Sequence, residues 1–403
     1  MKSEWNTSAI ANICKVVTDG SHTSPKSVSH GKYMVSVKDF TPYGFDFNGC
    51  RQISFADYEK LKSSGCVPQK GDILIGKDGA RYFEDIIIYN QDEAPALLSS
   101  IAILRCDEEK VIPEYLYYLL KTPSFKKDVK DNYGSGSAIP RIILKDFKRM
   151  KVEYPSIEKQ RQIVSILHDL DAKIFNNQKV NDNLEQQAAA LFSSLYNRSN
   201  TEVRYTDLIQ ILGGGTPKTG ETAYWNGNIA FFTPKDVGTP YTFITEKTIT
   251  EEGLSHCNSR LYPVNTVFVT ARGTVGKVGL SGVPMAMNQS CYALVGKETH
   301  QLLVYFYTLK VVDKLKHKAS GAVFDAITTR DFESEQIMKL SDDDARAFLC
   351  VAEPMFQDIL NNSIENLRLS TLRDFLLPKL MSGEIDVSNI QFSMPLNYRL
   401  PDF

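Results

Sequence analysis

The amino-acid sequence predicts an α+β protein: two similar mixed α/β domains joined by two long antiparallel coiled-coil helices, with pseudo-twofold symmetry. Motifs of the first 150 residues return about 190 residues later, and a long apolar stripe of helical spacing follows each copy. The repeat is far longer than the roughly 20–50 residues of a solenoid unit. We therefore interpret it as a duplicated domain, which suits a protein that contacts two similar targets.

Three motif pairs define the duplication. Their offset falls from 197 through 194 to 185 residues, as small insertions and deletions between diverged copies would produce. The pairs are VKDF at 37–40 with PKDV at 234–237, GDILIGKDG at 71–79 with NTVFVTARG at 265–273, and SGSAIPRIILKDF at 135–147 with SGAVFDAITTRDF at 320–332.

The first domain is predicted over residues 1–154 and the second over residues 201–340. Short β-branched and aromatic runs between Gly, Pro and Asp turns predict strands in both, and a helix follows them. The predicted strands are 33–37, 72–75, 86–89, 100–105, 229–233, 266–270 and 291–295, and the predicted helices are 113–121 and 300–315.

Residues 155–200 are predicted to form the first linking helix, with Ser156 as its N-cap. Apolar residues recur at gaps of three and four, the spacing of a coiled-coil seam. An unbroken helix over 157–196 would be about 60 Å long. Two asparagines in the seam would disfavour other registers at a cost in stability. The seam residues are Ile163, Leu167, Leu170, Ile174, Asn177, Asn181, Leu184, Leu191 and Leu195.

Residues 341–387 are predicted to form the second linking helix, paired with the first, and residues 388–403 an irregular tail. Acidic residues at 342–344 favour a helix start, Pro354 predicts a late start or a kink, and Gly383 is the expected C-terminal cap. The apolar stripe is looser here and includes Leu349, Phe356, Leu360, Ile364 and Leu367.

The bulk properties are those of an ordinary globular protein. Hydrophobic residues make up 42% and charged residues 23%, with a net charge of −2 that gives no global hint of nucleic-acid binding. No apolar run approaches the ~18 residues that span a membrane, and the seven cysteines form no CxxC pair. We therefore expect a cytoplasmic protein without a metal or disulfide framework. Segments 213–220 and 273–279 look like phosphate loops but do not match the motif: the first has Pro217 where Gly is required before Lys218, and the second has no Gly five residues before Lys277 and no Ser or Thr after it. Neither a catalytic residue nor a bound cofactor is expected.

Turns rich in Ser, Gly and Thr, each followed by a basic residue, recur in both copies. Their N–H groups and hydroxyls suit phosphate contacts, while Lys, Arg, Asn and Gln can read base edges. The same composition also serves ordinary turns. Lys38 and Lys235 stand in a repeated Lys-Asp pair. The candidate DNA-contact residues are Ser21, His22, Thr23, Lys26, Lys38, Lys77, Arg81, Ser135, Ser137, Arg141, Thr216, Lys218, Lys235, Arg272, Lys277, Asn288, Gln289 and Ser320.

Several segments in combination resemble the specificity subunit of type I restriction-modification systems. KDFKRMKVEYPSIEKQRQIVSIL at 145–167 is similar to the family's step from a target recognition domain into a conserved helix. LRDFLLPKLMSGEI at 372–385 is similar to its C-terminal signature, and MNQSCYAL at 287–294 also matches. The similarity covers residues 1–385, including the order of the four segments.

The resemblance implies a non-catalytic reader of double-stranded DNA. Each target recognition domain would bind half of a split target, and the paired helices would fix the spacer between the halves. The helices would also dock two methyltransferase (M) subunits and, through them, restriction (R) subunits. S-adenosylmethionine, ATP and Mg²⁺ would belong to these partners and not to this chain.

Two alternatives remain open at the level of sequence. Asp92, Glu108 and Lys110 have the spacing of a metal-dependent nuclease, although a solvated acidic turn also accounts for them. Alternatively, the duplicated domains could be protein-binding modules of an assembly scaffold.

Overall fold

A computed structural model describes residues 5–134, 140–238, 240–318 and 326–388. The chain forms two compact units, one made of residues 1–175 and 367–403 and the other of residues 176–366. The repeated motifs of the first copy thus lie in one unit and those of the second copy in the other. Each of the two long helices contributes one part to each unit.

The first unit begins with mixed strands and short helices. Its strands are β1 (Asn6–Ala9), β2 (Cys14–Asp19), β3 (Lys32–Val35), β4 (Phe40–Thr41), β5 (Gly44–Phe45), β6 (Gln52–Ile53), β7 (Ile73–Gly76), β8 (Ile86–Ile88), β9 (Ala96–Leu97), β10 (Ile101–Cys106) and β11 (Lys151–Tyr154). Its short helices are α1 (Ile10–Ile13), α2 (Phe55–Ser63), α3 (Pro113–Lys121), α4 (Pro123–Asn132) and α5 (Leu144–Arg149).

The long helix α6 (Ile157–Arg198) leads into the second unit. The strands there are β12 (Thr201–Arg204), β13 (Ile209–Gly213), β14 (Trp225–Phe232), β15 (Tyr241–Thr242), β16 (Lys247–Ile249), β17 (Val267–Thr270), β18 (Val278–Ser281), β19 (Met285–Met287), β20 (Cys291–Gly296) and β21 (Gln336–Lys339). The helices are α7 (Tyr205–Leu208), α8 (Glu251–Ser255), α9 (Gln301–Lys318), α10 (Thr329–Glu333) and the long α11 (Asp342–Met381).

The two units share one topology, which confirms the duplication. One sheet has the order β2-β10-β7-β8 in the first unit and β13-β20-β17-β18-β15 in the second. A smaller sheet has the order β6-β3-β9 in the first and β16-β14-β19 in the second, with one antiparallel and one parallel pairing in each. The predicted strands and helices agree with these elements to within a few residues, except that β14 begins earlier.

Each domain is closed by a pair of strands that join its beginning to its end. In the first unit β1 pairs antiparallel with β11, so that Asn6 faces Tyr154. In the second unit β12 pairs with β21, so that Thr201 faces Lys339. Because the two ends of each domain lie side by side, the long helix that follows starts next to the domain's own first strand.

The long helices run antiparallel within each unit. In the second unit Asn177 donates to Asn366 Oδ1 at 2.9 Å, and Asn181 accepts from Asn362 Nδ2 at 2.9 Å. In the first unit Arg373 donates to Asp171 Oδ1 at 2.7 Å. Of the two alternatives expected at Pro354, a late start or a kink, the late start is wrong, because α11 begins at Asp342 and includes Pro354. Gly383 follows the helix with φ +72°, as expected of a C-terminal cap.

The predicted seam residues mostly lie inward, but the buried face differs from the predicted stripe. Leu367 is 36% exposed, contrary to prediction, and Leu349 is only half-buried. Phe192, which the seam omitted, is buried and stacks on Phe306 of α9 with ring centroids 5.1 Å apart. The helices therefore pack against their own domain as well as each other, which rotates the buried face. Of the other seam residues, Ile163, Leu167, Ile174, Asn177, Asn181, Leu195, Phe356 and Leu360 are buried, and Leu170, Leu184, Leu191 and Ile364 are half-buried.

Candidate nucleic-acid interface

Backbone hydrogen bonds join five loops of the first unit at one end of its strands. The loops are those around residues 21, 36, 77, 99 and 141, which include most of the predicted DNA contacts of this domain. The bonds run from Ser21 N–H to Leu97 O (2.7 Å), Ser99 N–H to Ser21 O (2.9 Å), Leu98 N–H to Val35 O (3.0 Å), Lys77 N–H to Ser100 O (2.8 Å) and Ile142 N–H to Lys77 O (3.0 Å).

The second unit repeats four of these five bonds at equivalent positions; among the described residues, the bond from Ser99 N–H to Ser21 O is the one that is not repeated. The four shared bonds define which residues of the two interfaces correspond. The bonds run from Gly215 N–H to Met287 O (3.1 Å), Asn288 N–H to Phe232 O (3.0 Å), Ala271 N–H to Ser290 O (2.8 Å) and Ile327 N–H to Ala271 O (2.9 Å).

Matching turns present Lys38 and Lys235. In the first unit the Asp39 carboxylate accepts from Ser36 N–H at 2.8 Å and from the Ser36 hydroxyl at 3.1 Å. In the second, Asp236 accepts from Thr233 N–H at 2.8 Å and from its hydroxyl at 2.6 Å. Each aspartate thus fixes its turn by accepting from the N–H three residues earlier. The lysine that precedes the aspartate is exposed to solvent. Lys235 is 79% exposed, with Glu246 Oε2 3.5 Å from its ammonium.

The loop after β2 approaches the strand beside it without room for a side chain. A Cβ on Gly20 would lie 2.3 Å from Leu97 O, and one on its counterpart Gly214 would lie 2.2 Å from Asn288 O. Beyond this close approach His22, Thr23 and Lys26 are exposed.

Ser21 departs from the expected solvent-facing position. It is buried, and its hydroxyl donates to Thr23 O at 2.8 Å. Its hydroxyl therefore shapes the turn that presents His22 and Thr23.

The corresponding loops of the second unit carry several predicted contacts together. The Thr216 hydroxyl donates to Gln289 Oε1, while Asn288 Oδ1 accepts from Ser290 N–H at 3.0 Å. Gln289 and Lys218 are exposed. Thr216 and Gln289 thus connect two loops that are more than 70 residues apart in the sequence.

Lys77 is the clearest correction among the predicted contacts. Its side chain is only 8% exposed, and its ammonium lies 3.3 Å from Asp19 Oδ2 and 3.6 Å from Asp78 Oδ1. A buried ammonium neutralised by two carboxylates is not placed to contact a phosphate. A motif shows that a lysine is present, but only the fold shows that Asp19 lies opposite it.

The remaining basic candidates lie on the surface. Arg81 is exposed and pairs with Asp85 at 2.8 Å, and Arg141, Arg272 and Lys277 are exposed. Ser135, Ser137 and Ser320 lie outside the described residues. The interface of each domain therefore combines exposed cations with open hydroxyl and amide groups, a composition suited to a polyanion with readable base edges.

The nuclease alternative finds different surroundings for its residues. Asp92 lies 2.7 Å from the Lys70 ammonium, and Lys110 pairs with Asp107 at 3.1 Å and donates to Asn12 O at 3.0 Å. Within the described ranges, no three His, Cys, Asp or Glu side chains are grouped to hold a metal ion. Burial raises the pKa of Cys50 to about 11 and that of Cys291 to about 12, so these thiols stay protonated at neutral pH.

A sequence model described as "Type I restriction modification DNA specificity domain" matches residues 2–186 and 197–339. The chain belongs to this family. Family membership makes it a non-catalytic DNA-recognition subunit with two recognition domains. Specificity subunits of these systems function with modification and restriction subunits and with DNA.

Relatives are diverged but extend over most of the chain. The MjaIX specificity subunit of Methanocaldococcus jannaschii is 25% identical, covering 70% of this chain and 71% of that protein. The HindI specificity subunit of Haemophilus influenzae is 24% identical, covering 79% and 87%. The crystal structure of the type I S subunit from M. genitalium has a similar fold, with a TM-score of 0.57 and 16% identity over 93% of this chain and 96% of that one.

The structure adds residues that the sequence reasoning did not select. Asp39 and Asp236 fix the lysine turns, and Ser99, Ser100 and Ser290 carry the backbone links between loops. The first pair could have been found, since a Ser or Thr three residues before Asp in both copies is a local capping signal.

No described helix is apolar and long enough to cross a bilayer.

Proposed function

We propose that this specificity subunit directs modification to a two-part DNA target, one half read by each recognition domain. The observation that supports this most directly is the repeated loop network with Lys38 and Lys235 on matching turns. Two equivalent interfaces on one chain suit two stretches of one duplex. Because side chains differ between the copies at equivalent positions, we expect the two halves to differ in sequence.

We further propose that α6 and α11 determine the unread spacer between the halves. A continuous helix such as α6, with 42 residues, has a fixed rise of ~1.5 Å per residue and cannot change length without losing its hydrogen bonds. The buried asparagine contacts of Asn177 and Asn181 favour a single register of the pair.

The helices also offer places for partners. Pairing leaves apolar side chains exposed on both units: Leu372 and Phe375 of α11 in the first, and Val180 of α6 with Val351 of α11 in the second. Exposed apolar side chains on a helix suit protein contacts, and their presence on both units suits two copies of a methyltransferase subunit. Restriction subunits would join through these, and S-adenosylmethionine, ATP and Mg²⁺ would be used by the partners.

We place this assembly in the cytoplasm. The seven cysteines are unpaired, which suits a reducing compartment, and genomic DNA is the target.

Methylation mapping tests the reading of a split target. In cells that carry the chain with its methyltransferase subunit, we expect one methylated motif of two parts around a fixed gap, lost when the chain is deleted. Replacing residues 1–154 by another member's first domain should change one half only. A motif unaffected by deletion of the chain would refute the proposal.

A matched deletion tests the spacer. Removing residues 177–180 of α6 together with 363–366 of α11 shortens both helices by about 6 Å, close to two base pairs at 3.4 Å each. We expect a motif with a shorter gap or no modification. Methylation with an unchanged gap would show that the helices do not set it.

A further inference from the structure

Asp78 and Arg272 occupy the same place in the two interfaces and carry opposite charge. Lys77 N–H and Ala271 N–H bond to equivalent serine carbonyls, so the residue that follows each is equivalent. The next residue in each chain segment is a glycine in the left-handed region, Gly79 with φ +94° and Gly273 with φ +80°. The backbone is therefore conserved between the copies, while its side chain changes from acceptor to donor.

Both residues lie beside the lysine turn of their domain. In the second unit the Thr274 hydroxyl donates to Pro234 O at 3.0 Å, which brings the Arg272 turn against the Lys235 turn. In the first unit a Cβ at Gly76 would lie 3.4 Å from Val37 Cγ1, beside Lys38. A side chain next to a phosphate-contacting lysine is well placed to reach the bases.

Asp78 is not explained as a turn-forming residue. Asp39 and Asp236 have carboxylates that accept hydrogen bonds from backbone N–H groups. Asp78 Oδ1 is buried and makes no hydrogen bond among the described residues; the Lys77 ammonium lies 3.6 Å from it. Its side chain remains 29% exposed. The Asp terminal torsion is broad, so the carboxylate can turn outward without backbone movement.

A carboxylate in a DNA interface is unfavourable next to phosphates unless it receives a hydrogen bond. The exocyclic amino group of cytosine, or of adenine, supplies that donor in the major groove. Lys77 balances the charge and orients the carboxylate, and Asp19, with His22 Nε2 at 3.3 Å, holds Lys77 from the other side. In the second unit Ala271 stands in place of Lys77 and Gly213 in place of Asp19. Neither can orient a neighbouring side chain by charge, and the long Arg272 side chain does not need it.

We propose that Asp78 reads an exocyclic base amino group in the first half-site, that Arg272 reads a guanine in the second, and that Lys77 is a positioning residue for Asp78. The inference rests on the proposed reading of a split target. Among the described residues the Arg272 guanidinium has neither an ion pair nor a hydrogen-bond acceptor, so it is available for the O6 and N7 acceptors of guanine.

The test uses the full chain with its methyltransferase subunit and maps the modified motif for Asp78→Asn, Asp78→Ser and Arg272→Gln. We expect Asp78→Asn to relax one position of the first half-site, or move it from cytosine toward adenine. Arg272→Gln should relax one guanine of the second half-site. Discrimination at each position should fall about ten- to hundredfold, with the other half unchanged. Lys77→Met combined with Asp19→Asn, which leaves neither buried charge unpaired, should relax the same position as Asp78→Asn, which a purely structural ion pair would not do.

Asp131→Asn and Arg346→Gln are matched controls, since these exposed residues pair along their own helices, with Lys127 and Asp343. An unchanged motif in the Asp78 and Arg272 variants overturns the inference. So does a uniform loss of modification, or a loss of thermal stability by both Asp78 variants, because either would make the carboxylate structural. Absence of any split motif with the wild-type chain would instead refute the proposed function.

Discussion

Neutralising Lys38 and Lys235 should weaken DNA binding by an electrostatic amount that the structure allows us to state. Each lysine presents a single exposed ammonium on a turn fixed by its aspartate, and each lies in one domain. Lys38→Ala and Lys235→Ala therefore remove one phosphate contact apiece without disturbing the turn, because the bonds by which Asp39 and Asp236 fix the turns involve neither lysine side chain. The two changes should act independently.

The expected size follows from counterion release. Each phosphate contact contributes about 0.9 to the slope of log K against log salt concentration. Between 50 and 200 mM salt, one lost contact therefore reduces the salt-dependent fall in affinity by about 3.5-fold, and two lost contacts by about 12-fold. Lys235 should contribute less than Lys38 at low salt, because Glu246 already lies 3.5 Å from its ammonium.

The assay is fluorescence anisotropy of the complex with its methyltransferase subunits on a target duplex, titrated at several salt concentrations. Lys127→Ala is the control, since this exposed lysine pairs with Asp131 on α4 at 2.8 Å and lies outside the loop network. Slopes for both single variants that equal those of the wild type and of the control would refute the placement of DNA on these turns. If the double variant bound DNA no more weakly than the more affected of the two single variants, only one domain would contact DNA.

Two further predictions concern the stability of the second unit. Asn181→Leu should lower the urea midpoint of unfolding, because it leaves the Asn362 side-chain amide without its acceptor. The double variant Asn181→Leu with Asn362→Leu should recover stability, with a coupling of about 1 kcal/mol in a double-mutant cycle. Losses that simply add would contradict this. Burial raises the pKa of Glu185, so its contribution to stability is complete below the unfolded value and is lost as pH rises through the folded one. Glu185→Gln keeps an acceptor for the Tyr305 hydroxyl, which donates to Glu185 at 2.9 Å in the wild type. In urea unfolding, this variant should be more stable than wild type by about 1 kcal/mol at pH 7.5 but not at pH 4. The control Glu298→Gln, at an exposed position, should show no such difference.

The fold could be predicted where its signals are local. Helix α3 was predicted with its observed bounds because Pro113 at the first turn and the apolar run after it are contiguous in sequence. The pairing of β1 with β11 could not be read in the same way: β11 alternates between exposed and buried residues, but β1 does not, and the pairing joins Asn6 to Tyr154 far along the chain. The face of α6 was misplaced for a similar reason: Phe192 is buried by Phe306, more than a hundred residues away.

The site divides along the same line. The lysine turns are written into four consecutive residues, Ser36–Asp39 and their counterparts, so the sequence could indicate Lys38 and Lys235. Lys77 sits in an equally persuasive motif, but its environment depends on Asp19, 58 positions earlier in the chain. Turn composition identifies which loops face outward. It does not show which of their charged side chains form ion pairs with buried residues of other segments, as Lys77 does with Asp19.

The two interfaces suggest how a recognition domain can change its target at little structural cost. Their loops are held by backbone-to-backbone bonds and by glycines that tolerate no Cβ, as at Gly20 and Gly214. None of these restraints depends on the side chain at the position of Asp78 or Arg272, and the same backbone accommodates a short acid and a long base there. The buried charge of Lys77 is matched by the counter-charge of Asp19, while the other copy has alanine and glycine at the two equivalent positions. Specificity can therefore vary at exposed positions singly, whereas Lys77 and Asp19 must change together, because either charge left alone in that buried place would destabilise the domain.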